Sequence, residues 1–191
     1  MNPETLHNFI QKRQSVYPRD FNDQPISKAI IEDIIAQGDR APTHRLTEPW
    51  RFHIMHKESS RAALSDFLAA KYKALFVGEK FKQKKYDKFS NVGKQSACII
   101  AICMQRDLEE RVPEWEEVAA TAMAVQNMWL SCTAYGIGCY WSSPALIKYM
   151  DEFLDLAEGE RCLGFLYMGY FDREIPLSRR KPLNEKVKWR T

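Results

Sequence analysis

The spacing of apolar residues changes period several times along the chain, and each change marks an element. Asn2 followed by Pro3 is a helix start, with Asn as the cap and Pro at the first helical position. Leu6, Phe9 and Ile10 then form a stripe at helical spacing, and Arg13 falls on the next position of that stripe. Pro25 and Ser27 open a second helix from Lys28 to about Arg40, with Ile30, Ile31, Ile34 and Ile35 on one face. Trp50, Phe52 and Ile54 alternate with Arg51, His53 and Met55, which predicts a half-buried strand. Ser59 or Ser60 is placed to cap a helix containing Leu64, Phe67 and Leu68.

Ala97 to Met104 is a continuous apolar run, which predicts a central strand buried on both faces. A long helix rich in small residues comes next, from Glu116 to Tyr135, closed by Gly136. Its alanines permit close approach of another backbone. Gly138 to Trp141 reads as a short strand. Ser142, Ser143 and Pro144 then offer a hydroxyl cap and a first-turn proline to a helix running through Leu156. Cys162 to Tyr170 is another apolar strand, and the tail from Phe171, with SRRKP and KVKWR, is expected to pack along the body or onto a partner chain.

Composition narrows the class. The 191 residues and 45% hydrophobic content suit one domain with its own core. No run approaches the ~18 apolar residues of a membrane helix, and MNPETLHNFIQKRQS lacks the apolar core of a signal peptide, so a cytoplasmic protein without a membrane partner is expected. Five cysteines at unpatterned spacings within apolar stretches read as reduced core residues. His53 and His56 form HxxH, but on a strand they point to opposite faces, so no metal site is expected. A net charge of +3 names no partner.

Residues 71 to 95, KYKALFVGEKFKQKKYDKFSNVGKQ, interleave lysines with aromatics and suggest a mobile, solvent-facing helix or lid. Nucleic-acid or protein binding through the lysines of 71–88 is the non-enzymatic alternative, although Glu79 and Asp87 dilute the charge and no nucleic-acid partner is expected. GxSxG, a P-loop, GxGxxG and HExxH are all missing from the sequence. An enzyme built this way relies on a cofactor for its reactivity. Arg13, at the end of an apolar stripe, needs a partner anion, which a carboxylate or a ligand could supply.

RQS at 13 to 15, APTHRLTEPWRF at 41 to 52, the small-residue helix ending in GIG, YWSSP at 140 to 144 and RKPLNEKV near the C-terminus together resemble the nitroreductase family of FMN-dependent oxidoreductases. The short loop with His44 is similar to the minimal nitroreductases, while TEPW and RKPL also resemble the iodotyrosine deiodinase branch. The resemblance implies an α+β fold: a three-layer α/β/α sandwich with a mostly antiparallel central sheet. It also implies a single FMN-binding domain over residues 1–191, with 171–191 as a C-terminal arm exchanged across a homodimer and FMN at the subunit interface.

Residue by residue, the resemblance assigns Arg13 and Arg180 to the FMN phosphate and Ser15 to a polar contact beside it. Gln14 stands where a second Arg is usual. Trp141, Ser142 and Ser143 match the turn that contacts the isoalloxazine, where a helix start would favour the electron-rich reduced ring. Thr43 and His44 match residues that reach FMN from the other subunit, and Glu48 occupies a position often held by Gln or Asn. No catalytic side chain is implied. The implied activity is ping-pong transfer of hydride from NAD(P)H through FMN to a nitroaromatic, a quinone or a similar electron-poor small molecule, with reductive dehalogenation as the alternative.

Overall fold

The computed structural model describes residues 2–190 and builds outward from one strand. β2 (Cys98–Gln105) is buried on both faces, so it takes an inner place in the sheet. β1 (Trp50–Met55) pairs with one side of it and β4 (Glu160–Tyr170) with the other; β3 (Ile137–Ser142) adds to β4, giving the order β1-β2-β4-β3 with every pair antiparallel. On one face Ile100, Ile102, Leu166 and Met168 pack against α2 (Lys28–Gly38) and α5 (Glu114–Ala134). On the other, Ile99, Ala101, Phe165 and Tyr167 meet α3 (Glu58–Leu75) and α4 (Gln83–Gln95). Two helical layers around one sheet make the three-layer α+β sandwich that the sequence implies. No described helix is long and apolar enough to cross a membrane.

The small residues of α5 act as expected on the α2 side. Ala120 and Ala124 are buried, and a Cβ on Gly38 of α2 would lie 2.7 Å from Met128 Cγ. α3 and α4 approach just as closely: a Cβ on Gly93 would collide with the Arg61 backbone carbonyl, and the Gly93 amide donates to Ser65 Oγ at 2.8 Å. All five cysteines are buried and unbridged. Burial pushes the Cys98 thiol up to about 12, which makes it an inert apolar side chain.

Several expectations change in detail. α1 (Pro3–Lys12) forms, with Asn2 Oδ1 accepting from the Thr5 amide at 2.8 Å, but none of its residues is buried; Leu6 and Ile10 stay 43% and 45% exposed. Ile54 is exposed as well, because β1 is an edge strand and Trp50 and Met55 are its buried ends. Ser60 does not cap α3; its hydroxyl turns back to the Lys57 carbonyl. Residues 71–95 are the end of α3, a turn and α4, a solvent-facing helical hairpin whose buried anchor is Tyr72. That ring is 2% exposed and lies 4.8 Å from Phe76 and 5.5 Å from Phe89. Through Tyr72 the aromatics of this segment join the core on the Ile99–Tyr167 face of the sheet, while most of the lysines project outward.

The segment after β3 departs most. The strand continues to Ser142, Pro144 itself occupies the cap position, and no hydroxyl caps the turn that begins at Ala145. A 3-10 segment (Ala145–Tyr149) and a single helical turn, α6 (Asp151–Leu154), replace the expected helix, and Asp155 at φ 52 ends them.

A buried ion pair ties the sandwich together at the far end of β2. Arg106 pairs with Glu117, whose side chain has no solvent exposure, and the Asp107 amide donates to the same carboxylate at 2.8 Å. Removing the guanidinium leaves that carboxylate buried without its counter-charge. Arg106→Met is expected to lower unfolding free energy by about 3 kcal/mol, measured by urea denaturation at fixed protein concentration; a loss below about 1 kcal/mol would show that solvent compensates.

Candidate functional site

The chain leaves α1 at Arg13 and runs along the free edge of β3. Ser15 bridges Cys139 in parallel, and the Val16 amide donates to the Cys139 carbonyl at 3.1 Å. Trp129 of α5 fixes the same segment from below: its indole N–H donates to the Gln14 carbonyl at 3.1 Å, and its ring carries the Arg13 guanidinium 4.8 Å from the centroid. Stacking restrains the arginine while leaving its donors free.

The tail returns to this place. Gln14 Nε2 donates to the Ile175 carbonyl at 3.1 Å, and the Ser178 hydroxyl donates to Gln14 Oε1 at 3.4 Å. Arg13, Gln14, Ser178 and Arg180 thereby line one cavity of ≈ 360 Å³, closed by Ile10, Gln11 and Leu177. Two guanidinium groups and no carboxylate make this lining a receptor for an anion with several oxygens.

Further along β3, Trp141, Ser142 and Ser143 line a second cavity of ≈ 370 Å³. Its other walls include Phe76 and Phe89 from the aromatic hairpin, Tyr140, and the ammonium groups of Lys85 and Lys88. Lys88 Nζ sits 5.7 Å from the Tyr140 ring centroid. This cavity is aromatic on its walls and cationic at its rim, a surface for a flat, electron-poor or anionic molecule.

The loop RAPTHRLTEPWRF lies elsewhere. Thr43 Oγ1 contacts Thr47 Oγ1 at 3.2 Å and accepts from the Glu48 amide at 3.2 Å; His44 Nδ1 pairs with Glu116, near the start of α5. Arg45, Leu46 and Glu48 all adopt positive φ, at 53°, 53° and 42°. Three non-glycine residues in the left-handed region within four positions is strained backbone, a pattern that concentrates at ligand clamps. Since Gln14 is held at Trp129 and His44 at Glu116, about 20 Å of α5 separates them at ~1.5 Å per residue. One chain brings Arg13, Gln14 and Arg180 into one cavity, sets Ser15 against Cys139 and Trp141–Ser143 further along the same sheet edge, and leaves Thr43, His44 and Glu48 apart.

The model of the nitroreductase family matches residues 10–170. This chain belongs to the nitroreductase family. YfhC of Bacillus subtilis, which bears the name of an NAD(P)H nitroreductase, is 29% identical over 183 residues, covering 95% of this chain and 92% of YfhC. A nitroreductase-like family protein from Bacillus cereus superposes with a TM-score of 0.82 at 28% identity, covering 99% of this chain and 97% of the other. Oxidized iodotyrosine deiodinase, solved with FMN and 3-iodo-L-tyrosine, shares the fold with a TM-score of 0.75 at 18% identity, covering 97% and 99% of the respective chains.

Within this nitroreductase-family chain, motif reading did not assign four contributors to the site. Trp129 stands out in sequence only as a large amphipathic ring among small residues of α5. Lys85 and Lys88 were legible as part of a charge run but not as cavity walls. Gly164 supports Trp141: at φ 149° it presents bare backbone to the indole, and a Cβ there would lie 2.6 Å from the Ser142 carbonyl and collide with the Trp141 ring. Gly164→Ala is expected to destabilise the fold by about 1–3 kcal/mol and to shift tryptophan emission through displacement of Trp141. Unchanged emission together with unchanged stability would show that the turn repacks without cost.

Proposed function

We propose that this chain is an FMN-dependent NAD(P)H oxidoreductase that acts as a homodimer, reducing nitroaromatics, quinones or similar acceptors in a ping-pong cycle. The observation that carries the proposal is the cavity in which Arg13 and Arg180, from opposite ends of the chain, meet without a carboxylate between them. A phosphate monoester dianion matches that lining in charge and in its number of acceptor oxygens. FMN, when bound, supplies the redox chemistry by accepting hydride from the nicotinamide and delivering two electrons to the acceptor.

The chain's own share is position and field. Arg13, stacked on Trp129, and Arg180, brought in by the tail, hold the phosphate; Ser15 offers a hydroxyl beside them. Trp141, Ser142 and Ser143 meet the isoalloxazine through the backbone and hydroxyls at the end of β3. The element beyond them is a 3-10 segment and not a full helix, so local N–H donors, not a helix dipole, favour the reduced ring. The oxidised nucleotide leaves before the acceptor enters the same aromatic-walled space.

The homodimer reading rests on what one chain leaves unfinished. Thr43, His44 and Glu48 lie about 20 Å along α5 from the Arg13 segment, so they serve a flavin held by a second copy. The exposed stripe of α1 and the apolar hollow that Phe9 and Leu130 line beside α2 and α5 provide surface for that copy. The arm docks on its own chain through Ile175 and Ser178, and Leu183 and Trp189, 72% and 90% exposed, are the part available for exchange.

Reductive dehalogenation would use the same flavin. The deiodinase fold match and the TEPW and RKPL segments favour testing it with halotyrosines beside nitroaromatics. The non-enzymatic reading requires a protein that neither is yellow nor takes up FMN.

Purified protein is expected to show flavin absorbance, and Arg13→Ala and Arg180→Ala each to weaken FMN binding by roughly 10-fold or more, the effect of losing a hydrogen bond to a charged group. A colourless protein that ignores added FMN in a fluorescence-quenching titration removes the proposal. Replacing Lys84, Lys85 and Lys88 together by Gln is expected to raise the NAD(P)H KM about 5-fold with little change in kcat, since their charge attracts the nucleotide's phosphates. An unchanged KM in steady-state assays would deny them that role.

A further inference from the structure

Three strands bring an imidazole, a thiol and a carboxylate to one point on the sheet face covered by α3 and α4. His53 of β1, Cys103 of β2 and Glu160 of β4 place one ligand atom each within 4.8 Å of one another. His53 Nε2 lies 2.8 Å from Glu160 Oε1, and the second Glu160 oxygen accepts from the Ala157 amide at 3.1 Å. The HxxH spacing does not reveal the group, since His56 turns to the Ile26 carbonyl and His53 finds its neighbours on other strands.

A β-bulge creates the juxtaposition. Ile102 pairs with Gly164, but Cys103 pairs with Cys162, so Leu163 is the extra residue. Side-chain alternation along β4 therefore slips by one across the bulge: Phe165 and Tyr167 face α3 and α4 after it, while Cys162 faces the same layer before it. Without the bulge, Cys103 would face Leu163 and Glu160 would point to the opposite side. Cys162 faces the same layer beside this group, and its thiol donates to the Gly164 carbonyl at 3.5 Å.

Burial fits a ligand. Cys103 is fully buried and the Glu160 side chain is 7% exposed, yet the His53 side chain is 32% exposed. The soft and anionic donors are inside and the imidazole stands at the mouth, which gives a cation both a dry site and a way in. One sulfur, one nitrogen and one carboxylate oxygen are a zinc-type set of three protein donors, with bonds of about 2.0–2.3 Å and a fourth position left for water. Rotation of His53, the most exposed member, is the movement that would close the group to that size.

We propose that His53, Cys103 and Glu160, with a solvent water as the fourth ligand, form a binding site for a zinc-class divalent cation. Binding releases the Cys103 thiol proton to solvent and takes the imidazole as the neutral tautomer with its proton on Nδ1, so that the Cys103 Sγ and His53 Nε2 lone pairs and a Glu160 carboxylate oxygen bind the metal. The bound cation cross-links β1, β2 and β4 and replaces the His53–Glu160 hydrogen bond. Nothing in this step depends on the flavin reading.

The test titrates metal-free protein with Co²⁺, whose d–d bands lie to the red of flavin absorption. One cobalt per chain is expected, displaced by Zn²⁺, with affinity reduced at least ~10-fold in Cys103→Ser and in His53→Gln. Zn²⁺ is also expected to raise the melting temperature of the unaltered protein and not that of the variants. No band at equimolar cobalt, or a band that His53→Gln retains in full, overturns the site. His53 is at the surface, so its variant keeps the test decisive even where Cys103→Ser does not fold.

Discussion

The pairing of β2 with β4 is the constraint on which the rest of this molecule depends. β2 has no solvent on either face, so its backbone donors and acceptors must be met by neighbouring strands, and its side chains by a helical layer on each side. That requirement places β1 on one side and β4 on the other, and the alternating residues of the two inner strands then divide between α2 with α5 and α3 with α4. β4 can meet the requirement only with one extra residue, Leu163. The bulge leaves Gly164 bare beneath Trp141, and so the same irregularity that keeps the ladder paired also shapes the end of β3 where the candidate flavin surface lies.

Much of this frame was legible because periodicity reports burial. The unbroken apolar run of β2, the small-residue face of α5 and the glycine at its end translated directly into position, since each reflects a local pattern facing a large neighbour. The features that failed to translate were set by tertiary partners. The stripe on α1 is a true stripe, but its own chain covers it only in part: Phe9 is half-buried beside α2 and α5, while Leu6 and Ile10 stay exposed. The serines before Pro144 look like caps, yet β3 keeps its strand in register with β4 to Ser142. The lysine-rich segment reads as solvated because its charges dominate a linear view, whereas Phe76, Phe81 and Phe89 gather around Tyr72 only once α3 and α4 fold together.

The candidate site divides in the same way. Resemblance supplied Arg13, Gln14, Ser15 and Arg180; the fold brings Arg13, Gln14 and Arg180 into one cavity and sets Ser15 next to them against Cys139 of β3. Spacing had no means of locating Trp129, because a ring that serves as a platform carries no motif of its own. Nor could spacing reveal that the 43–48 loop and the Arg13 segment are pinned to opposite parts of one rigid helix. The strain of Arg45, Leu46 and Glu48 comes from that placement: a short connection between α2 and β1 must turn sharply while presenting His44 outward, and proline at 42 and 49 limits where the turn can occur.

Gln14 shows how a departure from the family pattern acquires a physical reason. A third guanidinium at this position would add positive charge beside Arg13 and Arg180, and it could donate to the Ile175 carbonyl but could not accept from the Ser178 hydroxyl. The glutamine amide does both. It fastens the beginning of the arm by a two-way polar contact and so sets where Arg180, two residues after Ser178, enters the cavity. Charge at the site is thereby held to two arginines, while the residue between Arg13 and Ser15 is given over to positioning the second of them. Holding the tail in this way ties the make-up of the cavity to arm docking, since whatever frees residues 175–178 also withdraws one of its two cations.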